Sequence, residues 1–265
     1  MMISGVSSAS LYPMHTEDAV KVLADLGVKN MEIFINDISE LKEEISSDII
    51  KTVRDYNINV VSMHPFSSPM ESLFLFSDYD RRRDTLLDMY RGYFELMNTL
   101  GAKIFVLHGA ILSAKCSDER YFERYSMLLD IAEEYGVTVA QENICYCKSK
   151  DLDFLKRLKE NCGDRTKYVL DIKQAVRTDL SPYTIIDALG SDIVHVHISD
   201  NSPEADCLPV GKGSFDFGRL IEKLDGIGYN GALLIELYRN NYGEYSELYE
   251  GMKKIGDIIA KRGKI

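Results

Sequence analysis

The sequence predicts a single-domain (β/α)8 barrel, the α/β TIM-barrel architecture, on three observations. Short apolar runs rich in β-branched residues alternate with amphipathic stretches along the whole chain, eight times over. The length, 265 residues, exceeds that of most single domains but is usual for this barrel, which takes about 250. Ionisable side chains gather at the C-terminal ends of the apolar runs, the rim where such barrels carry their chemistry. Eight is also a strand number that closes; an open doubly wound sheet is the competing architecture. No linker, low-complexity tract or compositional shift divides residues 1–265.

Taken in order, Met2–Val6 leads into the helical pattern Thr16–Leu26, with Thr16 as its expected N-cap and Gly27 as its left-handed C-cap. Met31–Ile35 precedes Ser39–Tyr56. Asn59–Met63 is separated from the helix Arg81–Leu100 by a long excursion, Pro65–Asp80. Its mix of Ser67, Ser68, Pro69, Phe74, Phe76 and Tyr79 reads as a lid-like loop or as surface decoration. Ile104–Leu107 precedes Asp118–Tyr135, Val137–Gln141 precedes Leu152–Asn161, and Tyr168–Ile172 precedes Pro182–Leu189. Ile193–Ile198 precedes Phe215–Ile227, with Ser214 as its expected cap, and Ala232–Leu237 precedes Glu244–Lys261. Gly101, Gly136, Gly190 and Gly228 each stand just past a helical run, where a positive φ is wanted.

Composition bounds the function. The 42 acidic and 31 basic residues give a formal charge of −11, which opposes non-specific binding to nucleic acid or anionic membranes. The five cysteines are odd in number and form no CxxC pair, so they read as free thiols of a reducing compartment. No basic segment followed by an apolar run opens the sequence, and no run approaches the ~18 apolar residues of a membrane span. The expectation is a cytoplasmic protein with neither nucleic-acid nor membrane partner.

The strand ends are where the chemistry concentrates. Glu142 ends VTVAQE, Asp171 ends YVLD, Glu236 lies near the end of ALLIEL, His64 ends VVSMH, His108 ends IFVLH, and His197 lies in IVHVHI. A single strand-end histidine reads equally well as a half-buried polar group. Three carboxylates do not, because burial and mutual repulsion both oppose their ionisation unless a cation is near. Among these strand ends only Lys173 offers one, two residues beyond Asp171, where it reads as a rim lysine or as a contact for an anionic substituent. A divalent metal ion resolves the conflict. Two Glu, one Asp and one His form an oxygen-rich set, which favours manganese, with magnesium, cobalt or zinc as alternatives. His195 shares a strand face with His197, roughly 6.5 Å away along the chain and one step deeper. Glu32, on the second strand, reads as structural but within reach of the mouth. Gly211–Ser214 lacks the full phosphate-loop pattern and reads as the turn into the next helix.

These motifs carry a resemblance: Gln141–Asn143 (QEN), Val169–Gln174 (VLDIKQ), His195–Asp200 (HVHISD), Leu208–Phe217 (LPVGKGSFDF) and Leu234–Leu237 (LIEL). Over essentially its whole length the chain resembles the xylose-isomerase-like TIM-barrel superfamily, which includes sugar isomerases, ketose 3-epimerases, inosose dehydratases and endonuclease IV. The resemblance implies metal ligands at Glu142, Asp171, His197 and Glu236, with Glu142 and Glu236 doubling as an acid/base pair. It implies substrate contacts from His64, His108, Gln174 and Lys173, and a small carbohydrate as the partner, with homo-oligomerisation left open. His64 and His108 also match positions that hold another metal in the endonuclease. Departures are equally specific. Gln174 stands where the family often has the His of Asp-x-x-His, and Leu208 where the endonuclease branch has the His of Asp-x-His. Pro203 and Lys148 stand where ketose 3-epimerases contact substrate with Arg and Glu. The expected activity is sugar, sugar-phosphate or cyclitol isomerisation or epimerisation. The competing readings are an inosose-type dehydratase, an endonuclease IV-like phosphodiesterase short of two zinc histidines, and a non-catalytic sugar-binding barrel.

Overall fold

The sheet closes on itself. The computed structural model describes residues 1–66 and 68–262, in which eight parallel strands run in sequence order around a barrel. The first, β1 (Ile3–Ser7), pairs with both β2 (Asn30–Ile35) and β8 (Ala232–Ile235). Between them come β3 (Asn59–Pro65), β4 (Ile104–Leu107), β5 (Thr138–Glu142), β6 (Lys167–Asp171) and β7 (Ile193–Ile198). The helices are α1 (Thr16–Asp25), α2 (Glu43–Asp55), α3 (Ser68–Leu73), α4 (Asp80–Leu100), α5 (Asp118–Glu134), α6 (Leu152–Cys162), α7 (Ile172–Val176), α8 (Pro182–Leu189), α9 (Phe217–Gly226) and α10 (Ser246–Arg262). None of the described helices is long and apolar enough to cross a membrane.

Alternation along the strands sorts the side chains into two compartments. Outward residues such as Met31, Ile33 and Phe105 pack under the helices. Around Phe105, α4 sets Tyr90, Tyr93 and Phe94 edge-on, with ring centroids 4.9, 5.8 and 5.2 Å away. Inward residues Val106, Ala140 and Val169 form a separate buried cluster that fills the barrel below the rim. Gly5 on β1 admits the neighbouring strands' atoms: a Cβ there would meet the Asn30 carbonyl oxygen at 2.3 Å and Leu234 Cδ2 at 2.5 Å.

The expected glycine C-caps hold, with Gly27, Gly101, Gly136, Gly190 and Gly228 all at positive φ. The two expected N-caps do not. His15 occupies the cap of α1, because the Thr16 hydroxyl is drawn inward between the Phe34 carbonyl (3.0 Å) and the Glu40 carboxylate (2.8 Å). Asp216, whose carboxylate accepts from the Arg219 amide, caps α9 in place of Ser214 and delays the helix to Phe217. Similarly, the pattern beginning at Ser39 opens as a 3-10 turn, Ile38–Leu41, before α2 starts at Glu43.

The excursion Pro65–Asp80 is more ordered than a loop. It contains α3, although Ser67 lies outside the described residues. The helix is seated on the β4–α5 loop, where the Glu71 carboxylate accepts the Gly109 amide and the Tyr90 hydroxyl, and Ser72 Oγ accepts the Ile111 amide. Burial pushes the Glu71 carboxyl up to about 8. An acid whose folded value lies above its unfolded one stabilises the fold while protonated, so this contribution is complete below about 4.5 and is lost as the pH rises through about 8. The melting temperature should therefore fall across that window, and Glu71→Gln, which mimics the protonated carboxyl, should flatten the fall. Equal pH slopes for the two proteins would contradict this account.

Candidate metal centre and active site

Six strands bring their polar ends to one side of the barrel. Glu142 ends β5, Asp171 ends β6, His197 lies in β7, Glu236 follows β8, His64 lies in β3 and His108 follows β4. Ligand atoms of Glu142, Asp171, His197 and Glu236 all lie within 4.8 Å of one another, as do those of His64, His108 and Glu142. In the first group, His197 Nδ1 is 3.1 Å from Glu142 Oε1 and 3.9 Å from Glu236 Oε2. In the second, His64 Nδ1 donates to the Pro65 carbonyl, which turns its Nε2 toward His108 Nε2 at 2.8 Å. His108 Nε2 lies 2.9 Å from Glu142 Oε2. Glu142 is thus shared by both groups.

A deeper polar layer holds the first one in place. Glu32 on β2 is fully buried, and its carboxylate accepts from Ser7 Oγ (2.9 Å), Ser62 Oγ (2.8 Å), His195 Nε2 (3.1 Å) and His197 Nε2 (3.1 Å). With Nε2–H directed down at Glu32, His197 presents Nδ1 upward to the acids, the arrangement by which a carboxylate orients a ligand imidazole. Burial opposes a charge on His197, but Glu32, Glu236 and Glu142 outweigh it and hold the imidazole well above its usual range. For Glu142, burial is likewise outweighed by His108, His197 and His64, and the carboxyl sits well below its usual range. Burial, with Glu142 and Glu236 nearby, pushes Asp171 up to about 6 against the pull of Lys173.

The donor set fits a divalent ion. Glu142 Oε2 and Asp171 Oδ2 are buried and without an aligned hydrogen-bond donor, although His108 Nε2 and Lys173 Nζ stand at 2.9 and 3.2 Å. Both residues belong to the group whose ligand atoms lie within 4.8 Å of one another, and buried oxygens without a hydrogen bond call for a further partner. Lys173, expected at the rim, is buried in the first turn of α7, with its ammonium 2.7 Å from Glu236 Oε2 and 3.2 Å from Asp171 Oδ2. Gln174 turns its Oε1 to the Cys145 amide at 3.2 Å, which leaves its amide nitrogen for the cavity. The amides of Gly211, Gly213 and Phe215 all converge on the Asp200 carboxylate at 2.8–3.0 Å, so the Gly211–Ser214 turn is filled from within the chain.

Above this floor opens a cavity of about 410 Å³, walled by Phe34, Phe66, Tyr12, Tyr146 and Tyr238. The family model of the xylose isomerase-like TIM barrel matches residues 20–263. The chain belongs to that family. An uncharacterised protein of Methanocaldococcus jannaschii is 24% identical over 277 residues, spanning 98% of this chain and 93% of that protein. The crystal structure of a D-tagatose 3-epimerase-like protein shares the fold with a TM-score of 0.81 at 22% identity, covering 98% of this chain and 99% of its own. A D-psicose 3-epimerase crystallised in the presence of D-fructose does so with a TM-score of 0.78 at 15% identity, covering 97% of each chain.

The aromatic wall of this family member had no signal in the sequence, since its residues come from the loops after β1, β3, β5 and β8 and from β2 itself. Asn143, which closes the QEN motif, has a role that its spacing does not reveal. Its side chain bridges β5 to β6 by donating to the Asp171 carbonyl (3.0 Å) and accepting its amide (2.7 Å), which fixes two of the acids relative to each other. The role of Glu32 gives the sharpest test. Glu32→Ala leaves two imidazoles and two hydroxyls without their acceptor and should cost about 3–5 kcal/mol in urea denaturation. A loss no larger than the ~0.5 kcal/mol of a surface substitution would show that the carboxylate does not anchor the layer.

Proposed function

We propose that this chain is a divalent-metal-dependent sugar isomerase or epimerase that moves a proton on the carbon beside a carbonyl, with Glu142 and Glu236 as its acid/base pair. The convergence of Glu142, Asp171, His197 and Glu236 beneath an aromatic-walled cavity carries the proposal. A divalent ion held by those four residues would supply Lewis-acid stabilisation of negative charge on the substrate's oxygens, with manganese favoured by the oxygen-rich set and magnesium, cobalt or zinc as alternatives.

The chain's own residues account for the rest. Glu142 at the end of β5 and Glu236 just after β8 both line the cavity, from strands three apart in the barrel. Against burial, Lys173 and His197 hold Glu236 below its usual range, as the imidazoles do Glu142. Either ionised carboxylate can remove the carbon-bound proton and give it back; return from the opposite face is made by the partner carboxyl once it has taken up a proton from solvent. The Gln174 amide nitrogen donates to a substrate hydroxyl, while His64 and His108 hold further oxygens. Lys173 sits above Asp171 and beside Glu236, where its ammonium offsets the charge of an enediolate. A carbohydrate as the substrate class is supported by structural neighbours described as D-psicose and L-ribulose 3-epimerases and a 3-keto-D-glucoside 4-epimerase of E. coli.

A second reading, two-ion phosphodiester cleavage, is favoured by the trio His64, His108 and Glu142, which shares Glu142 with the first group. Gln174 and Leu208, at positions where the endonuclease branch has histidines, weigh against it. A dehydratase using the same single ion is the nearer alternative, and it would release water where an epimerase only exchanges hydrogen.

Incubating the manganese-loaded protein in D2O with ketoses, aldoses and inososes, read by NMR, tests the reaction. Glu142→Gln and Glu236→Gln should each slow exchange of the carbon-bound hydrogen by roughly 10²–10⁴-fold; undiminished exchange in either variant removes that residue from the pair. Calorimetric titration with Mn2+ tests the centre. One ion per chain is expected, and Lys173→Met, which strips a positive charge from the cage, should bind it about tenfold tighter or more. Two equivalent ions would favour the hydrolytic reading, and unchanged affinity would place Lys173 outside the ion's field.

A further inference from the structure

Three of the cavity's aromatic residues stand apart from the rest. Tyr12, Tyr146 and Tyr238 line the cavity yet remain 61%, 48% and 47% exposed, large apolar rings left at the mouth. They follow β1, β5 and β8. Because β1 and β8 are neighbours in the closed sheet and β5 lies across it, the loops carrying Tyr12 and Tyr238 rise on one side of the barrel and the loop carrying Tyr146 on the other. Tyr238 is fixed there: its hydroxyl takes a hydrogen bond from Arg177 Nη1 at 2.9 Å, and its ring lies 5.0 Å from Lys173 Nζ. Exposed apolar surface of this kind beside a polar floor marks a surface that meets a ligand.

Charge narrows what that ligand is. Among the described residues lining the cavity, Lys173 is the only lysine or arginine, and it is engaged by Glu236 and Asp171 at 2.7 and 3.2 Å. Arg177, behind Tyr238, is paired with Asp206 at 2.6 Å. The glycine-rich turn after β7 has its amides on Asp200. A phosphate dianion at the mouth, away from the floor's ion, would find Lys173 and Arg177 already paired with carboxylates. A pyranose ring is neutral, with an apolar C–H face that stacks on tyrosine and hydroxylated edges that stay in water.

We propose that the tyrosine mouth is a second sugar subsite, and that the substrate is an unphosphorylated ketose carrying a second glycosyl ring, seated between Tyr146 on one side and Tyr12 and Tyr238 on the other. This rests on reading the floor as a ketose-transforming site. The reacting unit reaches Glu142 and Glu236, while the appended ring covers the tyrosines.

The test is a set of dissociation constants for the manganese-loaded protein with D-fructose, fructose 6-phosphate, and the keto-disaccharides lactulose and isomaltulose. At least one disaccharide should bind roughly tenfold tighter than fructose, and fructose 6-phosphate no tighter than fructose. Tyr12→Ala combined with Tyr146→Ala should bring the disaccharide and fructose affinities together, while the corresponding Phe variants should keep them apart, since the ring and not the hydroxyl makes the platform. Absence of any disaccharide advantage, tightest binding by the phosphate, an advantage that survives the alanine pair, or no binding by any probe overturns the proposal. Hydrogen exchange in D2O separates it from the reading of the floor. Exchange of fructose without a disaccharide advantage overturns the subsite alone; an advantage without exchange supports the subsite and overturns the chemistry assigned to the floor.

Discussion

Holding several acids in a place nearly closed to water is the constraint from which most of this architecture follows. Glu142, Asp171 and Glu236 converge with one buried ammonium, Lys173, among them. Desolvation penalises every one of these charges, so each is tolerated only with partners at hydrogen-bond range. The histidines at the ends of β3, β4 and β7 supply part of that compensation, and Glu142 Oε2 and Asp171 Oδ2, buried without a hydrogen bond, are where it is incomplete. Removing any partner shifts the balance for all the others, because Glu142 belongs to both donor groups.

Compensation extends below the rim. Glu32 gathers two hydroxyls and two imidazoles and so converts a polar stretch of barrel interior into a satisfied network. Such a network has directional demands that an apolar layer lacks. It fixes which nitrogen of His197 looks upward, and therefore which atom is offered to the acids. The apolar cluster of Val106, Ala140 and Val169 shares the interior with it and fills space without imposing direction.

The loops answer to the same rule that buried polar groups need partners. Asp200 draws three amides of the β7–α9 connection around its carboxylate, so a turn with the composition of a phosphate cradle serves the fold. Glu71 and Ser72 anchor α3 to backbone amides of the β4–α5 loop, which turns a stretch lacking helical periodicity into a seated helix beside the mouth. Neither arrangement could be read from spacing, because the partners lie 11 to 39 residues apart and are chosen by proximity in the barrel.

By itself the sequence determined the strand count and the strand ends on which the acids and histidines sit, because side-chain alternation and glycine C-caps are local properties of the chain. Closure of the sheet, which the sequence favoured over an open one, was decided by the strand pairing. Thr16 and Ser214 mark where local reasoning gave out: each is a good N-cap, but the Thr16 hydroxyl is taken by Phe34 and Glu40, and Ser214 yields the cap to Asp216. Only the tertiary structure decided that Lys173 is buried against Glu236, that Glu32 stands beneath His197, and that three tyrosines from three loops line one cavity. These are relations between strands remote in sequence, set by barrel register and by the need to satisfy buried charge, and no stretch of the chain encodes them alone.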